Sequence, residues 1–413
     1  MFTKFDKSTL SITVASVLLT SACGESTSSK AGEDFGIKPP PITTDFDKAA
    51  LVVNVVDNVI TPTYQAFEEK SVEQAQAVNA YCDVESQYAD GFGNLEAVNT
   101  AKMTARDSWR EAMSIWQQIE VMQLGPLVEN SGYLKASIYS WPTVNTCAVD
   151  YDITFFKADT VNGQPYDISK RTPTRRGMAA LEYLLFNDNL ADSCEASAPD
   201  NWNNQSESYR KVARCEFATV VADDINNSAT TLTTHWLATE GYANQLKQAG
   251  SDDSAIESVH AAVNRITDAM FYIDKSTKDG KLAEPLGYAL NECGSAVCPE
   301  SVESIYAHAS IEHITQNLIG FEALLSGAQG VNFFDFLEQS NAADVASLLK
   351  EHIDLAIAQS QEYQTSMADT LLTDEEKVKQ THANVKNVTD TLKTDFINKL
   401  ALELPKTAAG DND

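Results

Sequence analysis

The chain is poor in what several common functions require. Only 30 of its 413 residues are Lys or Arg, against 59 Asp or Glu, for a net charge of −29. No basic stripe is left to neutralise phosphates, which argues against nucleic acid and anionic lipid surfaces as partners. Histidines number six and never form H-E-x-x-H. The nearest reversed arrangement, His308 with Glu312 and His313, has one residue too many for H-x-x-E-H. No C-x-x-C pair, G-x-S-x-G elbow or nucleotide-binding glycine loop occurs. The apolar run from Leu10 to Leu19 is half the length, roughly 20 residues, that a membrane-spanning helix needs. A mean hydropathy of −0.26 likewise argues against an integral membrane protein. Strand signals are sparse: only Tyr151 to Phe156 alternates, within a loop-rich stretch from Gly125 to Pro173.

What is present begins with Lys4 and Lys7 ahead of that apolar run, which closes on Thr20-Ser21-Ala22-Cys23. Residues 1–22 read as a secretory signal. The cysteine directly after Ala22 resembles a bacterial lipoprotein cleavage site, with Cys23 as the acylated first residue, although Thr20 stands where leucine is usual. Gly24 is not the aspartate that commonly retains lipoproteins in the inner membrane, so a lipid anchor in the outer membrane, facing the periplasm, is expected. Residues 23–44, rich in Ser, Gly, Pro and Lys, form the tether. Six further cysteines, Cys82, Cys147, Cys194, Cys215, Cys293 and Cys298, suit disulfides in an oxidising envelope. Their spacing suggests Cys194 with Cys215 and Cys293 with Cys298, leaving Cys82 with Cys147, among the many pairings six cysteines allow.

Helical periodicity dominates the rest. Val378, Val385, Val388, Leu392, Phe396 and Leu400 form one stripe, opened by a capping box of Thr373 with Glu376 and closed by Leu404-Pro405. Similar amphipathic stretches run over 45–81, with a kink at Pro62, and over 95–124, 201–249, 254–273, 304–325 and 341–369. The fold class expected is all-α: two antiparallel four-helix-type bundles, 45–198 and 199–405, dividing near Cys194 to Trp202, with a disordered tail at 406–413.

Three segments carry the functional signal. In the first, Trp109 and Trp116 share a helix face ahead of Glu120 and the Gly125-Pro126 turn, with Trp141-Pro142 in a later loop. These residues are either core fillers with a solvated Glu120 or the rim of a pocket. In the second, Arg175-Arg176-Gly177 opens an apolar run to Phe186 that only Glu182 interrupts. A carboxylate there must be paired, protonated or bound to a cation, and the alternatives are an ion pair with Arg175 or Arg176 and a cavity-facing ligand or metal site. The third comprises Glu284-Pro285-Leu286-Gly287, Glu303-Ser304-Ile305-Tyr306, Ser310, Asn317 and Gly320.

Taken in order, these segments resemble the imelysin family. Its G-x-H-x-x-E motif is matched by Gly177 and Glu182, but Ala179 stands at the histidine position and Ala307 at a usual serine. Histidine and glutamate at that spacing lie about 60° apart around a helix and could share an ion; alanine contributes nothing. The resemblance implies two four-helix bundles with a pocket at the Gly177 to Glu182 helix, in envelope proteins linked to iron acquisition. It implies a binding cleft of Trp109, Trp116, Trp141, Pro142, Arg176, Gly177, Glu182, Pro285, Gly287, Ser310 and Asn317, with Glu182 as the candidate metal ligand for iron or another divalent or trivalent ion. Iron, haem, a siderophore or an envelope protein are the partners it suggests. The leading expectation is a non-catalytic binding lipoprotein. A metallopeptidase of the imelysin type and a structural protein with a vestigial cleft are the alternatives.

Overall fold

The computed structural model describes residues 45–405 apart from 196 and 200. The signal, the Cys23 anchor, the tether and the 406–413 tail lie outside the described residues. Helices α1 (Lys48–Val55), α2 (Thr61–Ala89), α3 (Leu95–Ile119), α4 (Tyr133–Ile138), α5 (Thr146–Lys157), α6 (Gly177–Phe186) and α7 (Glu207–Leu237) make up the first half. The second half holds α8 (Tyr242–Lys247), α9 (Val259–Met270), a π-wound stretch Ile273–Ala283, α10 (Ser310–Ser326), α11 (Phe333–Gln339), α12 (Ala343–Ser360), α13 (Met367–Thr373), α14 (Glu375–Thr391) and α15 (Ile397–Leu400). The strands among the described residues are the two-residue pair Thr160–Val161 and Gln164–Pro165.

The helices form two bundles of four. In the first, α2 packs along both α3 and α7, and α6 closes against α3 and α7. In the second, the Ile273–Ala283 stretch packs on α10 and α14, and α12 closes against the same two helices. Helix α3 also packs on α10 and so joins the two. Gly320 permits that crossing, because a Cβ there would stand 2.8 Å from the Gln118 carbonyl oxygen. The stripe of Val378, Val385, Val388, Leu392, Phe396 and Leu400 is buried throughout. Helix α7 follows the expected division at Cys194 to Trp202 in the chain yet packs with the first-half helices, so the packing crosses that division.

Several local expectations are corrected. The Tyr151 to Phe156 alternation lies within α5: Asn145 caps the helix by accepting from Ala148 N–H, and Val149 and Ile153 bury one face at helical spacing. Helix α14 is capped by Asp374 rather than Thr373, whose hydroxyl donates to Asp369 O in the preceding helix. The winding change lies at the π turn Val56–Ile60, with Pro62 in the first turn of α2, where a missing N–H costs least. The segment expected as helix from Ser304 is irregular up to Ala309, with Ser304 and His308 at positive φ.

The disulfides are Cys82–Cys215, Cys147–Cys194 and Cys293–Cys298. The expected Cys194–Cys215 and Cys82–Cys147 pairs do not form. Packing of α2 on α7 brings Cys82 to Cys215, with Cα atoms 5.1 Å apart. Proximity in the fold therefore overrides proximity in the chain.

Candidate functional site

Helix α6 is buried on every face, in keeping with its composition. It starts at Gly177, whose φ of +77° and close approach to α4, where a Cβ would lie 2.4 Å from Ser137 O, admit no side chain. Glu182 projects from this helix toward the irregular segment before α10. Its Oε1 accepts from Ser304 Oγ at 3.0 Å, Tyr306 N–H at 3.1 Å and Ala307 N–H at 2.9 Å. None of the described residues donates to Oε2. Burial pushes the Glu182 pKa above its ordinary 4.5, and the Ala307 N–H, the nearby His313 and Ser304 pull it back only in part. Because residues 304–307 leave helical geometry, their N–H groups are free to converge on a carboxylate from the other bundle.

Glu182 also lines a cavity of about 550 Å³. Trp141, Pro142, Tyr139, Ala179, Tyr306 and Glu284 contribute to its walls. Of the residues expected to form a cleft, this cavity gathers Trp141, Pro142 and Glu182. The others lie elsewhere. Trp109 is fully buried, donates its indole N–H to Met178 O at 3.0 Å and packs on Phe186. Trp116 is fully buried against Phe67. Arg176 pairs with Asp224 at 2.8 Å and borders a separate cavity of about 380 Å³. Arg175 pairs with Asp152 at 3.0 Å, so neither arginine neutralises Glu182. Pro285 accepts Cys298 N–H through its carbonyl, and Gly287 packs on Ala296 in the same turn. Ser310 donates to Glu303 O, and Asn317 belongs to the network described next.

Behind Tyr139 and Trp141 lies a buried polar network that sequence reading did not assemble. Lys281, on the π-wound stretch, is out of solvent and its Nζ lies 3.1 Å from both Glu120 Oε2 and Glu303 Oε2. It also donates to Asn317 Oδ1 at 2.8 Å and Gln117 Oε1 at 2.5 Å. Glu303 further accepts Tyr139 OH at 2.7 Å and Gln117 Nε2 at 3.2 Å, and its Oε2 lies 3.2 Å from His313 Nδ1. Burial pushes the Glu303 pKa up, but Lys281 and then His313 outweigh it and hold the carboxyl low. Glu120, one of whose readings was a solvated side chain, is buried and takes the Tyr272 hydroxyl. Tyr139 and Trp141 connect network and cavity: the first bonds Glu303, and the second holds its ring 5.7 Å from Lys281 Nζ.

The residues around Glu182 do not fit a resident metal ion. Ala179 borders the cavity where a histidine could have shared an ion, and Glu182 Oε1 is already taken by three donors. Among the described residues, the one set of three potential ligand side chains close enough for an ion is Cys293, Cys298 and Glu300, and both cysteines are in a disulfide. His308 is exposed on the irregular segment and Glu312 is exposed on α10, outside any such set.

Two helical bundles joined at a buried carboxylate define the class of protein. The family model described as Imelysin matches residues 60–394, and the chain belongs to the imelysin family. Iron-regulated protein A of Synechococcus elongatus is 25% identical over 279 residues, covering 66% of this chain and 64% of that protein. The match thus spans less than two thirds of that relative's length. A crystal structure described as an iron-regulated protein A precursor from Parabacteroides distasonis shares the fold with a TM-score of 0.64 at 19% identity, over 86% of this chain and 95% of that one. An imelysin-like protein from Psychrobacter arcticum gives 0.58 at 14% identity, over 88% and 99%.

Proposed function

We propose that the protein is a lipid-anchored binding component of the bacterial envelope that serves iron uptake, with its binding site in the Glu182 cavity between the bundles. The observation that carries this reading is the division of labour within one carboxylate. Glu182 Oε1 fastens the segment before α10, while the same side chain lines a preformed cavity of about 550 Å³ and none of the described residues donates to its Oε2. That volume lies in the range of small-molecule sites, roughly 300–1,000 Å³. Three disulfides fit an oxidising compartment. The anchor at Cys23 and the outer-membrane location rest on the N-terminal sequence, and the link to iron rests on the names of the relatives. A metallopeptidase needs several protein ligands and an open coordination position, and among the described residues no set of three potential ligand side chains close enough for an ion includes Glu182. Titration calorimetry of the full chain with ferric and ferrous ions, haem and ferric siderophores tests the reading. Binding that weakens in Glu182→Gln and Trp141→Ala supports it, and binding unchanged in both places the site elsewhere.

A further inference from the structure

The cavity of about 380 Å³ that Arg176 borders takes its lining from the first bundle alone, apart from the Glu182 cavity. One face of α7 forms a wall of it. Asp224, Asn227, Ser228, Thr231 and His235 recur there at steps of one, three and four, so a helix otherwise packed on α2 and α6 presents a polar stripe to the cavity. Arg176, just ahead of α6, meets Asp224 in the buried part of the lining. Asn130, in the loop before α4, and Tyr133, in its first turn, add an amide and an aromatic ring.

Two of these side chains point to a ligand. Asp224 and Ser228 are each only 6% exposed. Asp224 Oδ2 lies 2.8 Å from Arg176 Nε, an ion-pair contact without hydrogen-bond alignment, and none of the described residues hydrogen-bonds the carboxylate. The Ser228 hydroxyl likewise has no hydrogen-bond partner among the described residues. Asp224 Oδ1 and Ser228 Oγ are not sealed from solvent, so both open onto the cavity. Side chains this buried normally find partners, and these two stand one helical turn apart on the same face. The backbone alongside is unusual as well. Asn130 and Ser131, two successive non-glycine residues, hold φ of +49° and +59° ahead of Gly132 at +72°, a costly run that sets Asn130 in the cavity wall.

We infer that this cavity is a second ligand site, independent of the Glu182 cavity, and that it takes a neutral sugar ring. Arg176 and Asp224 already match each other's charge, so an anion drawn to the first is repelled by the second, and a cation meets the reverse. An amino-acid zwitterion would have to split the pair to reach either charge. A neutral polyol leaves it intact. Because a hydroxyl both donates and accepts, neighbouring sugar hydroxyls can donate to Asp224 Oδ1 and exchange hydrogen bonds with Ser228 Oγ and the amides of Asn130 and Asn227. The C–H face of the ring suits the half-exposed ring of Tyr133. The volume also lies within the range of small-molecule sites, roughly 300–1,000 Å³.

The test is ligand-observed NMR titration of the full chain with glucose, galactose, mannose and N-acetylglucosamine, with glucuronate and glycine as charged comparisons. At least one neutral sugar is expected to bind more tightly than either charged probe. Ser228→Ala and Asn227→Ala are each expected to weaken it by roughly two- to tenfold, the weight of one hydrogen bond. Tyr133→Ala is expected to weaken it as well. Asn227 and Tyr133 are exposed, so their variants keep the test open if Ser228→Ala disturbs folding. Deoxy analogues of the bound sugar are expected to lose affinity wherever the missing hydroxyl met a buried polar group. Tighter binding of glucuronate or glycine overturns the inference, as does sugar binding that all three variants leave unchanged. Failure of every neutral sugar to bind overturns it too. None of these outcomes bears on the Glu182 cavity, whose own titration uses iron-bearing ligands.

Discussion

The Glu182 carboxylate accepts the backbone N–H of Ala307 at 2.9 Å, joining a helix of the first bundle to the segment that leads into α10 of the second. Removing that acceptor strands the amides of Tyr306 and Ala307 and the Ser304 hydroxyl. Glu182→Ala is expected to cost about 1–3 kcal/mol in urea denaturation, the penalty for buried donors left unpaired. Glu182→Gln keeps a carbonyl oxygen in the same place and is expected to cost much less. Equal losses in the two variants would mean that the carboxylate does not fasten this segment.

Lys281 gives the second prediction. Two carboxylates, Glu120 and Glu303, share its buried ammonium. Lys281→Met leaves both without their cation and is expected to destabilise by about 3–5 kcal/mol. Adding Glu303→Gln to that variant is expected to recover part of the loss, so a double-mutant cycle read by chemical denaturation should show strong coupling. Additive effects would contradict the network.

The pH dependence of stability follows from two glutamates shifted in opposite directions. Glu303 is held below its ordinary 4.5, so it contributes stability above that value and loses the contribution as pH falls through the lower folded-state value. Glu303→Gln is therefore expected to be less stable than wild type at pH 7, with the gap closing in acid. Glu182, raised above 4.5 by burial, works in reverse: ionising it in the folded protein costs stability as pH rises. Glu182→Gln is expected to gain on wild type between acid and neutral pH. Denaturation series at three pH values check both signs.

The fold was largely legible because the apolar residues keep helical spacing, as in the Val378 to Leu400 stripe. Glu182 was legible for a related reason, being a lone charge in a run that must be buried. Partners could not be read so directly. Cys82 and Cys215 are 133 residues apart and meet only through the packing of α2 on α7. Lys281, Glu120 and Glu303 come from three distant segments, each a plausible surface charge in isolation. Arg176 stands near Glu182 in the chain, yet Asp224 on α7 claims it. Tyr151 to Phe156 misled because a short alternation fits either period, and the Asn145 cap settles it as helix.

The most direct test of the central claim is a crystal of the full chain grown with the iron-bearing ligand that titration selects from ferric ion, haem and ferric siderophores, with the iron located by anomalous scattering. The account predicts an iron peak in or at the mouth of the Glu182 cavity, beside Trp141. Iron found only away from that cavity would contradict it.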